Sequence, residues 1–249
     1  KGPIFGHMIL ADEMNRMNPK TKSAFLEGME ERSITLNVLK DGEYKEEVIP
    51  LYPISERLDD FDGPRFFMLF ATQNIFGEEE GTYSTPVAEL DRYTLNIFMS
   101  DPEKEEDEAK ISSENVIGKT IQPVADLNEI YAIGEWISGN VRLSDYARKY
   151  MVRLVRNTRP HRVRGAARTF VRDSVEVGDS PRVEFHLEAV AKTFAFFAGT
   201  KIVTPDHVKA VAEMVLAHRL VLKEGLEFTT TVRKVLREIL RLTEVPPWN

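Results

Sequence analysis

The chain has 249 residues, 42% of them hydrophobic and 29% charged, enough to bury a core in one or two domains. Its 40 acidic residues outnumber 33 basic ones, and the net charge of −7 argues against general duplex binding, which needs many phosphate-facing cations. Without cysteine there are no disulfides, Cys-ligated zinc or thiol nucleophiles, and the five histidines have no H-x-x-x-H spacing.

No apolar run approaches the ~18 residues of a membrane span, so the expectation is a soluble cytoplasmic protein. Lys1, not Met, opens the chain, and a strand follows almost at once, which suggests part of a longer protein. Residues 4–11, "IFGHMILA", are too short an apolar run for a helix and predict a buried strand. Asn18 and Pro19 then introduce a helix through "PKTKSAFLEGMEER", with Phe25, Leu26 and Met29 on one face. Alternating residues on both sides of Asp41-Gly42 predict a β-hairpin.

"PRFFMLFATQN" (64–74) predicts a second strand, apolar on both faces as in a parallel sheet covered by helices. "PVAELDRYTLNIFMS" predicts a short helix followed by a third strand. The charge-dense "DPEKEEDEAK" (101–110) fits a solvated helix face or hinge. From about residue 124 the pattern is helical throughout, over 125–138, 144–158, 181–198, 205–222 and 229–242. Thr204-Pro205 starts one of these helices with a hydroxyl cap and a proline at the first helical position. The chain therefore reads as α/β over about 1–110 and helical over 111–249. Arg159, Arg162, Arg164, Arg168 and Arg172 form a basic island in an acidic protein.

Two strands end in polar clusters, "ILADEMNR" and "LFATQN". Ligands of open α/β sheets sit at the carboxyl ends of the strands, so parallel neighbours would bring Asp12, Glu13 and Asn74 to one rim. Such a group suits phosphoryl transfer to water: one acid holds Mg²⁺, a second polarises water, and an amide orients it. An acid pair after a strand also serves as a helix cap or loop solvation.

The order strand–DExN–helix–hairpin–strand–ATQN–LDRY–helical part resembles the MoxR family of AAA+ ATPases. The matching segments are "KGPIFGHMILADEMNRMNPKTKSAFLEGMEER", "FFMLFATQN", "EEGTYSTPVAELDRY", "GDSPR" and "VTPDHVKAVAEMVLAHRLVL". The resemblance implies the C-terminal part of an AAA+ parallel-sheet core with a hairpin insert, followed by a helical lid. It implies ATP and Mg²⁺ as cofactors, with Asp12 as the Walker B magnesium residue, Glu13 as the base and Asn74 as sensor 1. Arg92 in "LDRY" would be the arginine finger, Arg182 in "GDSPR" the sensor-2 arginine, and Arg16 also matches the family pattern. An Arg suits such a site because its planar, permanently charged fork pairs with two phosphate oxygens. Read alone, Arg92 is a surface residue paired with Asp91 or Glu89, and the motif context reverses that reading.

A finger given to a neighbour implies a homo-oligomer, by resemblance a hexameric ring. Its clients would be proteins undergoing remodelling, maturation or metal loading, with von Willebrand A-domain proteins as partners. The phosphate-cradling G-x-x-x-x-G-K-[ST] loop would precede residue 1. "SENVIGKT" (113–120) has Ser113 where the first glycine belongs and does not follow a strand. On this reading the 249 residues alone bind nucleotide weakly or not at all, and leave strand edges and apolar faces uncovered. Two alternatives are a catalytically silent scaffold and a nucleic-acid motor. The hairpin tip, "LKDGEYKEE", is too acidic for tracking DNA.

Overall fold

The computed structural model describes residues 3–40, 42–51, 67–73, 86–113, 122–226 and 229–247. After a 3-10 turn at Pro3–Phe5, strand β1 (Met8–Ala11) leads to helix α1 (Pro19–Glu31) and to strands β2 (Ser33–Lys40) and β3 (Glu43–Pro50). The N-terminal part continues with β4 (Met68–Ala71), the short helix α2 (Val87–Leu90) and α3 (Glu105–Ser113), which runs across residue 110.

Local chemistry sets the ends of α1. The Asn18 side chain accepts from the Thr21 amide at 2.9 Å, Pro19 fills the first helical position, and Arg32 closes the helix in the left-handed region. β2 and β3 pair antiparallel from Ser33↔Pro50 to Lys40↔Glu43, and Gly42 turns at φ 83°, where glycine is least strained. β1 and β4 pair in parallel, Met8 with Met68 through Ala11 with Ala71. This is the predicted arrangement, with both strands finishing on one rim.

Ile9, Ile34, Leu51 and Phe67 form a small buried cluster behind this pair, with Phe25 and Met29 of α1 packed against it. Alternate residues of β1 and β4 point away from that cluster, leaving Leu10 69% and Phe70 48% exposed among the described residues, in line with the uncovered apolar faces expected above. The third strand expected after α2 is corrected. Residues 94–100 form no ladder, because among the described residues no strand lies beside them, and the Asn96 amide instead donates to the Met214 carbonyl at 2.8 Å.

The C-terminal part packs α4 (Leu127–Asn140), α5 (Asp145–Asn157), α6 (Arg168–Ser174), α7 (Val183–Phe197), α8 (Pro205–Leu216) and α9 (Val232–Leu242). Leu154, Leu187, Leu216, Leu236 and Ile239 are fully buried in one core. Asp126 and Glu129 form a reciprocal capping box on α4, and Thr204 with His207 does the same on α8. The helical expectation gains two small ladders. β5 (Arg142–Leu143) pairs in parallel with β7 (Ile202–Val203), and β6 (Val175–Val177) pairs antiparallel with β8 (Val221–Leu222). Their brevity hid them from a periodicity reading.

Candidate functional site at the strand rim and the core–lid junction

The rim is built by Thr72, the first residue after β4. Its amide donates to the Ala11 carbonyl at 3.0 Å, extending the ladder by one step. Its carbonyl accepts from the Met14 amide, and its hydroxyl oxygen accepts from the Glu13 amide, both at 2.9 Å. The hydroxyl itself donates to Asp12 Oδ1 at 2.5 Å. One side chain thus fixes both acids of the pair. Glu13 sits in the left-handed region at φ 50°, an uncommon conformation for a residue with a Cβ and one that clusters at functional sites. Arg16 Nε lies 3.7 Å from its carboxylate. Asp12 and Glu13 are both exposed. Asn74 lies outside the described residues, as do residues 114–120 of the "SENVIGKT" segment.

Magnesium takes one or two carboxylates, retains several waters and completes its shell with substrate phosphates. An exposed Asp12 held by a neutral hydroxyl fits that limited protein share. Among the described residues no group of three or more His, Asp or Glu forms a self-sufficient metal cage.

The two candidate arginines meet. Arg92 follows α2, Arg182 precedes α7, and both donate to Glu30 near the end of α1, each at 2.9 Å. The hydrogen bond from Arg182, then that from Arg92, lowers the Glu30 carboxyl below its usual range. Arg182 is a poor first-turn residue for the helix dipole, and Glu30 supplies the compensating negative charge. Neither alternative carboxylate holds Arg92: Asp91 takes Arg219 at 2.9 Å, and Glu89 takes Lys22 at 2.7 Å. The rim is close by, since the Tyr93 hydroxyl lies 3.5 Å from the Met14 sulfur.

Behind this clasp runs a buried polar seam. Arg219, 2% exposed, donates to the Asp91 side chain and to the carbonyls of Asp91, Tyr93 and Val215. The Ser180 hydroxyl donates to the other Asp91 oxygen at 3.1 Å, tying the "GDSPR" turn to "LDRY". Asp179, 1% exposed, has neither carboxylate oxygen hydrogen-bonded, and burial pushes its carboxyl up to about 7 against the pull of Arg219 and Arg159. His218 is drawn down to about 4, by burial first and then by the neighbouring Arg219 charge. Burial, then the Glu89 charge, pushes the Tyr93 phenol up to about 12.

The sequence reading missed Thr72, Glu30, Asp179 and Arg219. Thr72 and Asp179 stand within the "ATQN" and "GDSPR" segments, so the motifs were a signal for them. Glu30 and Arg219 also lie in matching segments, but nothing local marks the distant partners they meet.

Comparison with known proteins shows the family. The model of the "ATPase family associated with various cellular activities (AAA)" matches residues 1–49, and that of the AAA lid domain matches residues 167–239. Protein YeaC of Bacillus subtilis, itself uncharacterized, is 32% identical over 98% of this chain and 67% of its own length. Chaperone MoxR1 of Mycobacterium tuberculosis is 29% identical over 100% of this chain, and protein MoxR of Paracoccus denitrificans 26% identical over 87%. The match spans 60% of the length of each of these two relatives. A crystal structure from Cytophaga hutchinsonii, of a protein proposed to be an ATPase, superposes with a TM-score of 0.77. It is 31% identical and is aligned over 99% of this chain and 68% of its own. The chain belongs to the MoxR family of AAA+ ATPases.

Proposed function

We propose that these 249 residues are the catalytic C-terminal part of a MoxR-type ATPase, coupling Mg-ATP hydrolysis to the remodelling, maturation or metal loading of client proteins. The observation that carries the reading is the parallel pairing of β1 with β4, whose ends Thr72 ties to both Asp12 and Glu13. Residues 1–110 act as the nucleotide-binding core and 111–249 as the lid, with α3 as the connection.

In this reading Asp12 holds Mg²⁺, which neutralises charge on the phosphate oxygens when bound. Glu13 accepts a proton from the attacking water. Asn74, following on from β4, orients that water. Arg182 leaves Glu30 for the γ-phosphate of its own subunit. Arg92 leaves it for the neighbour's, as a finger worth about 10³–10⁵ in rate. The subunits form a ring, hexameric by family resemblance, and work in the cytoplasm. Partners carrying a von Willebrand A domain would deliver the clients. No described helix is long and apolar enough to cross a membrane.

The test is Glu13→Gln in the full-length protein. Loss of ATP turnover with nucleotide binding retained supports the reading. Absence of turnover in the unsubstituted protein as well would favour a silent scaffold.

A further inference from the structure

The basic island contributes Arg162 and Arg164 to a groove of about 770 Å³ on the lid. Lys149 and Arg156 of α5, Arg162 and Arg164 of the following turn, the apolar Val152 and Leu242, and one acidic residue, Glu244, line it. Arg148 and Arg153 stand at the margin. Arg148 lies 3.5 Å from Glu188, and Arg153 donates to the Glu244 carbonyl at 2.9 Å. Among the described residues no carboxylate pairs with Lys149, Arg156, Arg162 or Arg164, although all four are exposed. Four cations outside any ion pair, against one lining carboxylate residue, Glu244, make the groove basic on a chain whose net charge is −7.

The chain carries a complementary surface. Asp101, Glu103, Glu105, Glu106, Asp107 and Glu108 are all exposed, four of them in the first turn of α3. Ile111 is 70% exposed and stands three and four residues after Glu108 and Asp107, on the same helix face. That face sets carboxylates beside an apolar side chain, complementary to the cations and to the Val152 and Leu242 surface of the groove. Within the chain, among the described residues, no ion pair joins the two.

We propose that the lid groove receives α3 of a second copy, Ile111 resting on Val152 and Leu242 while Glu105 and Glu108 pair with Arg162 and Arg164. The two surfaces are different patches, so the contact is head to tail. Each added subunit leaves one groove and one helix open until a ring closes. The proposal rests on the oligomeric reading above and assigns residues to its contact.

The absence of cysteine from the 249 residues allows a direct test. Glu108→Cys and Arg162→Cys variants of the full chain are prepared separately, mixed and oxidised. A disulfide-linked heterodimer that forms only in the mixture, and is suppressed by high salt, is the expected result. Arg162→Glu with Arg164→Glu should weaken assembly on the order of tenfold. Glu105→Arg with Glu108→Arg in the partner copy should restore it. An assembled ring without the cross-link and without rescue overturns this contact and leaves the oligomer reading standing. A monomer at all concentrations overturns both. Single-stranded oligonucleotide binding that is lost with the two arginine reversals, and no cross-link, would give the groove to nucleic acid instead.

Discussion

The guanidinium of Arg219, after α8, donates through Nε to the Asp91 carboxylate at 2.9 Å, joining a buried cation to a partly buried acid 128 residues away. Arg219 has no route to water, so its charge is tolerated only because Asp91 and three carbonyls surround it.

Replacing Arg219 with Met should therefore cost about 3–5 kcal/mol, the range for breaking a buried pair. Urea unfolding measures it. Arg219→Met combined with Asp91→Asn should cost less than the sum of the single changes, because the double variant leaves no unpaired buried charge. Strict additivity would mean the two residues do not communicate.

The Glu30 clasp behaves differently. Its three side chains are 34–57% exposed, where ion pairs contribute about 0–1 kcal/mol. Glu30→Gln should barely move the melting temperature, yet it frees both Arg92 and Arg182. On the proposed function, the affinity of the full-length protein for ATP should then rise, since nucleotide no longer competes with a carboxylate. Equal affinities in a calorimetric titration would show that the clasp does not restrain these arginines.

Asp179 gives a pH signature. Its carboxyl is raised in the folded state from about 3.8 to about 7, chiefly by burial, so the folded chain binds the extra proton between those values. Stability contributed by this group is complete below the unfolded value, declines as pH rises through the window, and is flat above it. Asp179→Asn should remove that decline, seen as a flatter plot of unfolding free energy against pH from 4 to 7. An unchanged slope would assign the titration elsewhere.

The turn that carries Asp179 and Arg182 is packed without slack. A Cβ on Gly178 would lie 2.3 Å from the Thr158 carbonyl oxygen, and backbone cannot move aside as a side-chain tip can. Gly178→Ala should destabilise the lid by about 1–3 kcal/mol, the usual cost of overpacking. Comparable loss from Gly139→Ala, where nothing lies within 4 Å, would remove the steric explanation.

Much of the fold was legible because its determinants are local. Asn18-Pro19 and Thr204-Pro205 start helices through chemistry within four residues, and Gly42 turns the chain between the paired Lys40 and Glu43. The parallel alignment of two polar-ended strands followed from their apolar runs and motif order. The expected third strand failed because a ladder needs a neighbour, which apolar content cannot supply by itself.

The sequence by itself determined which residue types were available for phosphate chemistry, and their order and spacing identified Asp12, Glu13, Arg92 and Arg182 as candidates. Tertiary structure alone decided their company. Arg92 and Arg182 are 62 and 152 residues from the Glu30 that holds them, and Thr72 is 60 from Asp12. Helices and hairpins are written in short-range periodicity and caps, whereas a carboxylate chooses its cation by proximity after folding, and no local pattern encodes that distance.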